Sequence, residues 1–283
     1  MKRFGIYTNL NKDPDLKITQ QVIRALERKH LEYFLDSAVA EKLGVTAERS
    51  CDANAIDVLI VLGGDGTMLA ASRKYAPTGA CLFGLNLGRL GFLLDAELEN
   101  LETALDCIQT GKFEIQERIM LVAEIVNNIT GEAEQVGFAL NEAVISQKNK
   151  LRIINLEVDV NDEDACNYWC DGVIVSSPSG STAYSLSAGG PVVAPTVEVL
   201  LITPLCPHSL QSCSFVVSGT DVIGIKAQNE QANIALALDG QDYIAIPENC
   251  HVVIKKAGFK AKFLRTTEKS FYTLLREKLA EWK

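Results

Sequence analysis

A glycine-rich turn after an apolar run is the segment best suited to chemistry on a phosphate. The run Ile56–Leu62 leads into the sequence GGDGT at 63–67, and residues 68–70 begin a predicted helix. Glycines without Cβ atoms let the backbone approach a phosphate, and the unpaired N–H groups of a helix start point towards it. The turn lacks the Lys of a Walker motif and the spacing of GxGxxG. It predicts a phosphate cradle of another type, with a tight βα turn capped by Asp65 as the alternative.

Asp65 places a carboxylate inside this turn. The order strand, turn, helix predicts that it lies at the C-terminal edge of a parallel sheet, where open α/β folds bind their ligands. A carboxylate there can accept the proton of a hydroxyl that attacks phosphorus, which typically contributes about 10²–10⁴ in rate. The residues therefore indicate phosphoryl transfer to a hydroxyl group, with Asp65 as the candidate general base.

A second polar constellation lies in residues 171–191, where a strand leads into a Ser/Gly/Pro-rich turn and a short helix. Small hydroxyl side chains and free amides suit the ribose and phosphates of a nucleotide, and Tyr184 offers a ring that can stack on adenine. Upstream, Asn141 and Glu142 offer an amide and a carboxylate that can bind paired ribose hydroxyls. A polar loop that caps a helix, and a surface turn at 141–142, are the alternatives.

Two architectures are expected to position these segments. The first third alternates strand-like runs with helical periodicity, which predicts an open, mostly parallel, Rossmann-like α/β sheet. From about residue 116, short β runs separated by turns predict an all-β, sandwich-like lobe. These runs are 120–126, 156–160, 171–176, 215–218, 222–225, 234–238 and 251–255. We predict an α/β lobe at 1–115, joined by the C-terminal helical segment 262–283, and a β-rich lobe at 116–261.

Composition excludes several classes of partner. The formal net charge of -9 disfavours nucleic acids and anionic membranes, which are bound mainly by clustered Lys and Arg. The sequence has no apolar run long enough to span a membrane. Its eight cysteines show no CxxC pair and no accompanying His spacing, so no zinc or other metal site is predicted. Without a secretory hydrophobic stretch at the start, we expect reduced thiols in a cytoplasmic protein.

The glycine turn, the sequence GRLGFL at 88–93, Asn141-Glu142 and the segment 171–191 occur in an order and at intervals that closely resemble the NAD kinase family. The resemblance covers roughly residues 57–245. Lipid kinases and, nearly, phosphofructokinases share the glycine turn, whereas the segment from Asp171 is specific to the family. The resemblance implies transfer of the γ-phosphate of ATP to the adenosine 2′-hydroxyl of NAD, giving NADP, with Mg²⁺ or another divalent cation on the phosphates. It also implies a homodimer or homotetramer, and NAD binding by the β-rich lobe.

The resemblance implies a role for individual residues as well. Asp65 looks like the general base, and no metal-ligating side chain is implied. The nucleotide-contacting positions are Gly63, Gly64, Gly66, Thr67, Phe92, Asn141, Glu142, Arg152, Asp171, Ser179, Thr182, Ala183, Tyr184, Ser185, Leu186, Ser187 and Gln241. Trp169 departs from the family pattern, because some members carry a basic residue there, and this puts one phosphate contact in doubt.

Two further positions are weaker candidates. Asp239-Gly240, directly before Gln241, separates two apolar runs, and Asp-Gly in that setting primarily predicts a β-hairpin turn. His208, between Pro and Ser, resembles part of a family loop near the active site, although a lone His is more often structural.

Two other functions remain open at this point. One is a kinase for a lipid or sugar phosphate hydroxyl that shares only the glycine turn. The other is a non-catalytic NAD-binding sensor, against which the presence of Asp65 argues. The residues also leave open whether inorganic polyphosphate replaces ATP as the donor.

Overall fold

The computed structural model describes residues 2–45, 55–88, 91–148, 153–209, 212–228, 234–267 and 269–281. The strands are β1 (Phe4–Thr8), β2 (Tyr33–Leu35), β3 (Val58–Gly63), β4 (Cys81–Asn86), β5 (Ala96–Glu97), β6 (Glu114–Asn127), β7 (Ala133–Ala139), β8 (Glu142–Gln147), β9 (Ile154–Val160), β10 (Glu163–Cys170), β11 (Gly172–Ser176), β12 (Val199–Leu205), β13 (Phe215–Ser218), β14 (Ile223–Ala227), β15 (Ile234–Leu238), β16 (Gln241–Ala245) and β17 (Cys250–Arg265). The helices are α1 (Lys17–Arg28), α2 (Ser37–Leu43), α3 (Asp65–Tyr75), α4 (Leu101–Thr110), α5 (Tyr184–Ser187) and α6 (Phe271–Glu281). None of the described helices is long and apolar enough to cross a bilayer.

The chain forms two compact units. Unit 1 comprises Met1–Glu117 and Lys260–Lys283, and unit 2 comprises Arg118–Phe259. The long strands β6 and β17 each run through one of these boundaries.

Unit 1 is built on a parallel sheet with the strand order β4-β3-β1-β2. All six residues of the central strand β3, with the sequence VLIVLG, are buried, as expected for a parallel strand covered on both faces. The apolar face of α1, formed by Val22, Ala25 and Leu26, belongs to the core that packs on this sheet. At the end of α4, Gly111 adopts a left-handed conformation with φ of 75°, which ends the helix where the sequence predicts.

Unit 2 consists mainly of β-sheet. One six-stranded antiparallel sheet has the order β13-β12-β11-β8-β15-β16. Strands β10, β9 and β14 and the first half of β17 also pair antiparallel. Side chains from both groups of strands, such as Ile145, Leu156 and Val252, belong to one buried core. The predicted fold class, an α/β lobe followed by a mostly β lobe, is confirmed.

Several element boundaries differ from those predicted. Strand β3 begins two residues later than the apolar run at 56–62 and continues through Gly63. Strand β12, with the sequence VLLITPL, is absent from the predicted β runs, and it contains Pro204, which lacks the N–H of a central-strand residue. Pro204 pairs with Val173 of β11, and β13 covers only Val199–Ile202 on the other side. The proline therefore lies beyond the end of β13 and has a strand neighbour on the β11 side only.

Alternation along β8 sets the two faces of the six-stranded sheet. Ala143 and Ile145 point into the main core of unit 2, whereas Val144 belongs to a separate small cluster with Ile174 and Ala237. Side chains on a strand alternate between faces, so Glu142 and Ser146 share the face of Val144.

We predict that Ile145→Ala lowers the free energy of unfolding by about 2–5 kcal/mol, because it leaves a cavity in the main core of unit 2. Urea unfolding followed by circular dichroism measures the change. Val216→Ala, at a side chain that is 47% exposed, is the control and should change the free energy by less than about 0.5 kcal/mol. An effect at Ile145 no larger than that of the control would contradict the packing described for this sheet.

Candidate functional site

In unit 1 the glycine turn begins helix α3 earlier than predicted. The helix starts at Asp65, with Gly64 at the N-cap position, so residues 65–67 form its first turn. Thr67 is buried, and its hydroxyl oxygen accepts a hydrogen bond from the Asn9 side-chain amide at 3.0 Å. Within this turn the Thr67 N–H donates to the Gly64 carbonyl at 3.0 Å, and the Gly64 N–H donates to Thr67 Oγ1 at 3.4 Å. Among the described residues, the N–H groups of Asp65 and Gly66 have no helical partner, as is usual at a helix start that binds phosphate.

Asp65 is held by backbone amides of the loop after β4. Its Oδ2 accepts the Phe92 N–H at 2.9 Å, and its Oδ1 accepts the Leu93 N–H at 3.1 Å. A Cβ at Gly91 would overlap the carboxylate, so this approach requires glycine. Each carboxylate oxygen has two lone pairs, so each can accept one further hydrogen bond. The side chain is thereby oriented without losing its capacity to accept a proton.

Arg265, near the end of β17, supports the same loop from its carbonyl side. Its Nη1 donates to the Leu94 carbonyl at 2.8 Å, and its Nη2 donates to the Phe92 carbonyl at 3.4 Å. Burial lowers the pKa of the guanidinium, while Asp95 and more weakly Asp65 oppose that shift. Sequence reasoning missed Arg265, because no motif surrounds it and its partners lie about 170 residues earlier in the chain.

Lys12 is a second residue of unit 1 that sequence reasoning missed. Its Nζ lies 2.8 Å from the position that a Cβ at Gly64 would occupy and 3.9 Å from the equivalent position at Gly88. The Asn9 side chain accepts the Lys12 backbone N–H at 3.3 Å and so shapes the turn after β1. A lysine closely following the first strand of an α/β lobe was the signal that could have pointed to it, since all parallel strands end at this edge.

Unit 2 contains a cavity of about 710 Å³ on the Val144 face of the six-stranded sheet. Its lining residues come from β8, β12, α5, the β15–β16 hairpin and single positions adjoining β8, β11 and β12. They are Glu142, Val144, Ser146, Gln147, Lys148, Asp171, Tyr184, Leu205, Cys206, Ala237, Gly240 and Tyr243. The volume lies within the range of small-molecule sites, about 300–1,000 Å³. Tyr184 and Tyr243 are 49% and 71% exposed, which leaves both rings available for stacking.

Asn141 and Glu142 are buried, not part of a surface turn as the alternative had it. Among the described residues, neither Asn141 Oδ1 nor Glu142 Oε2 has a hydrogen-bond partner. Burial, and then the nearby charge of Asp239, raise the pKa of Glu142 to about 8, while a hydrogen bond from the Tyr184 backbone N–H opposes the rise. Buried polar atoms in native proteins are nearly always paired, so these two oxygens point to a polar ligand.

The Ser/Gly/Pro turn after β11 is held by its own hydroxyl groups. Ser176 Oγ donates to the Asn141 carbonyl at 3.2 Å, and Ser177 Oγ donates to the Leu140 carbonyl at 2.5 Å. Ser185 is fully buried, and its hydroxyl shares a hydrogen bond with that of Thr203 at 3.1 Å. This network fixes the segment that carries Tyr184 next to Asn141-Glu142.

The predicted nucleotide-contacting residues of unit 2 fall into three groups. Glu142, Asp171 and Tyr184 line the cavity. Other described candidates adjoin it in sequence but are not among its lining residues, namely Asn141, Ser179, Thr182, Ala183, Ser185, Leu186, Ser187 and Gln241. Arg152 lies outside the described residues, as do Arg89 and Leu90 of the motif at 88–93. The ligand roles of all these residues stay predictions.

Asp239-Gly240, His208 and Trp169 lie in a hairpin turn, an exposed loop and strand β10, respectively. Asp239 and Gly240 form the turn between β15 and β16, with φ of 52° and 67°, so the predicted hairpin is present. His208 is exposed, and its backbone N–H donates to the Trp169 carbonyl at 2.7 Å. Trp169 itself is 58% exposed on β10. Across the described residues, no group of three or more His, Cys, Asp and Glu side chains could hold a metal ion.

Family models and solved structures agree in what this chain resembles. The ATP-NAD kinase N-terminal domain model matches residues 4–113, and the C-terminal domain model matches residues 140–266. An NAD kinase from Archaeoglobus fulgidus, solved in complex with ATP, has a TM-score of 0.76 and 26% identity, and the match covers 97% of this chain and 98% of that one. Yeast NADH kinase, solved with NADH, has a TM-score of 0.85 over 99% of this chain and 88% of its own, at 22% identity, and supports the fold alone.

Full-length relatives show closer similarity. NAD kinase from Caldanaerobacter subterraneus subsp. tengcongensis is 41% identical over 286 residues, covering 99% of this chain and all of the relative. NAD kinase from Thermoanaerobacter sp. (strain X514) is 40% identical over 285 residues with the same coverage. The chain therefore belongs to the ATP-NAD kinase family.

Proposed function

We propose that the protein transfers the γ-phosphate of ATP to the adenosine 2′-hydroxyl of NAD, giving NADP and ADP. Family membership supports the kinase activity, with NAD as acceptor and ATP as donor. The observation that carries the proposed chemistry is the Asp65 carboxylate, which two backbone amides orient at the start of α3.

The glycine turn of unit 1 is the proposed site of the donor phosphates. Gly63, Gly64, Gly66 and Thr67 form the turn that leads into the helix, where the N–H groups of Asp65 and Gly66 favour anions. The Lys12 ammonium beside Gly64 adds a positive charge. Mg²⁺ is usually held by one or two carboxylates together with substrate phosphates, which fits a site with few acidic side chains. When bound, it would offset the negative charge of the phosphates.

The cavity of unit 2 is the proposed site of the dinucleotide's adenosine. Asn141 Oδ1 and Glu142 Oε2 are buried oxygens that can accept hydrogen bonds from ribose hydroxyls. The exposed ring of Tyr184 can stack on adenine. The lining carries both apolar side chains, such as Val144 and Leu205, and polar ones, as binding of a nucleoside requires.

In the proposed reaction, the oxygen of the 2′-hydroxyl forms a bond to the γ-phosphorus of ATP while Asp65 accepts the proton of that hydroxyl. The bond between that phosphorus and the bridging oxygen breaks, and ADP leaves with the electron pair. Phe92 and Leu93 keep the carboxylate oriented through their amides, so little reorganisation is needed at the moment of transfer.

We propose a cytoplasmic homodimer or homotetramer whose α/β domain (1–115 with 262–283) carries the base, and whose β-rich domain (116–261) binds NAD. A lipid or sugar phosphate kinase is disfavoured because the paired buried oxygens of Asn141 and Glu142 suit a nucleoside ribose. The Asp65 variant below distinguishes the enzyme from a non-catalytic NAD sensor.

Replacing Asp65 by Asn is expected to reduce kcat for NADP formation by at least about 10²-fold, because Asn cannot accept the hydroxyl proton. NADP is measured with an NADP-specific dehydrogenase in the presence of NAD, ATP and Mg²⁺, and polyphosphate replaces ATP in a second arm. NAD binding by calorimetry should remain close to wild type. Asp106→Asn, on the exposed face of α4, is the matched control. Equal turnover by the Asp65 variant would exclude it as the base, and a wild type that binds NAD without turnover with either donor would support the sensor.

Lys12→Gln is expected to raise the KM for ATP roughly tenfold, because a charged hydrogen bond to phosphate contributes about 1.5–3 kcal/mol. The KM for NAD should change much less. Lys17→Gln, which removes an exposed lysine paired with Asp15, provides the control. Steady-state kinetics with each substrate varied in turn measure both constants, and unchanged KM values for ATP would show that Lys12 does not contact the donor.

Glu142→Gln is expected to stabilise the ligand-free protein relative to wild type as the pH rises. The folded-state pKa of Glu142 is about 8, above the unfolded value of 4.5, so the folded state binds more protons between these values. Wild type therefore loses stability across this window, whereas neutral Gln avoids the loss. Urea unfolding at about pH 5, 7 and 9 measures the difference. A difference that stays constant across the three pH values would contradict the assigned environment of Glu142.

A further inference from the structure

The turn between β15 and β16 contains an aspartate whose side chain does more than form a turn. Asp239 and Gly240 both have positive φ, as in a two-residue type I′ hairpin turn. Asp-Gly and Asn-Gly suit such a turn equally well, because both Asp and Asn tolerate the left-handed conformation. Turn geometry alone therefore gives no reason for a carboxylate at this position.

The Asp239 carboxylate reaches a segment almost a hundred residues earlier in the chain. It accepts the N–H groups of Leu140 at 2.9 Å, Asn141 at 2.8 Å and Glu142 at 3.2 Å. In return, the Asp239 backbone N–H donates to the Glu142 carbonyl at 2.9 Å. Asp239 is only 6% exposed, so these hydrogen bonds are shielded from water. Charged hydrogen bonds of this kind are roughly twice as strong as neutral ones.

These contacts fix the backbone of Asn141-Glu142 and leave Asn141 Oδ1 and Glu142 Oε2 available to accept hydrogen bonds from a ligand. Asn141 Oδ1 and Glu142 Oε2 are both buried without a partner among the described residues. Pinning three consecutive amides restricts the directions in which these two side chains can point. It therefore lowers the entropy that a ligand would have to remove on binding.

We propose that Asp239 is a positioning residue for the dinucleotide, acting through the backbone amides of Leu140, Asn141 and Glu142. This inference rests on the proposed function, since it concerns the ribose-binding pair of the same site. Asp239 itself does not touch the substrate.

The charge of Asp239 predicts a pH dependence of NAD binding that a residue serving only the turn would not produce. Among the described residues, Asp239 disfavours the ionised form of the Glu142 carboxyl and the Tyr184 backbone N–H favours it, while the Tyr184 phenol also interacts with its charge. Asp171, Lys148 and Tyr243 line the same cavity. An ionised Glu142 accepts hydrogen bonds from two ribose hydroxyls more readily than a protonated one. Affinity for NAD should therefore rise with pH in the wild type, and the rise should occur at lower pH once the charge of Asp239 is removed.

The test uses Asp239→Asn, which keeps a residue suited to the turn but removes the charge and places an N–H₂ donor group among the N–H donors. Asp221→Asn is the matched control, because Asp221 also accepts a backbone N–H, from Ser218 at 2.8 Å, but lies in a different turn of unit 2. Glu142→Gln serves as the variant without a titrating group. The dissociation constant for NAD is measured by calorimetry from about pH 6.5 to 9, where Glu142 titrates, and melting temperatures report folding.

We expect Asp239→Asn to weaken NAD binding roughly tenfold or more at about pH 9, where Glu142 is largely ionised in wild type and variant alike. Its pH dependence should shift to lower pH, that of Glu142→Gln should vanish, and Asp221→Asn should match the wild type. An Asp239→Asn protein with wild-type affinity and pH profile would overturn the proposal and leave Asp239 as a turn residue.

Hydrogen exchange in the wild type keeps the proposal testable even where Asp239→Asn fails to fold. The amides of residues 140–142 should exchange slowly in the ligand-free protein if Asp239 holds them. Fast exchange at these three amides would overturn the proposal. A wild type that does not bind NAD at any pH would instead overturn the proposed function, and the protection of residues 140–142 would then still report on the Asp239 contacts.

Discussion

Hydrogen bonds from backbone amides to aspartate carboxylates hold the functional loops of this protein in place. Asp65 takes the N–H groups of Phe92 and Leu93 in unit 1, and Asp239 takes those of residues 140–142 in unit 2. Loop amides lack the ladder partners that strands provide, and an ionised carboxylate only accepts hydrogen bonds, so each satisfies the other. The same pairing recurs where Asp95 accepts the Thr266 amide at 2.8 Å. Distant parts of the chain are thereby joined at the positions proposed for catalysis and ligand binding.

The two units use this interaction for different ends. In unit 1 the aspartate is the proposed general base, and the loop amides orient it while leaving lone pairs for a proton. In unit 2 the aspartate is the support, and two of the three amides belong to Asn141 and Glu142, each of which has one buried side-chain oxygen without a partner among the described residues. Arg265 supports the same arrangement in unit 1, because it donates hydrogen bonds to carbonyls of the loop whose amides hold Asp65.

An acidic chain that handles anionic substrates needs local rather than global attraction. The formal net charge is -9, yet charges farther than roughly 8 Å apart are largely screened at physiological salt. Helix-start amides at the glycine turn, with the Lys12 ammonium beside them, present positive potential directly where phosphates are expected. The apolar walls of the unit 2 cavity, including Val144 and Leu205, need no charge to bind an adenosine.

The sequence by itself determined the order of architectures, the position of Asp65 after a buried strand, the hairpin at Asp239-Gly240 and the family. These features depend on local periodicity, on turn chemistry and on the order and spacing of motifs along the chain, none of which requires knowledge of contacts between distant residues. Only the tertiary structure decided that Asn141 and Glu142 are buried, that Arg265 and Lys12 adjoin the glycine-turn region, and that the Asp239 carboxylate binds residues 140–142. Each of these contacts joins residues far apart in the chain, and burial and electrostatic environment arise only when such residues are brought together by the fold.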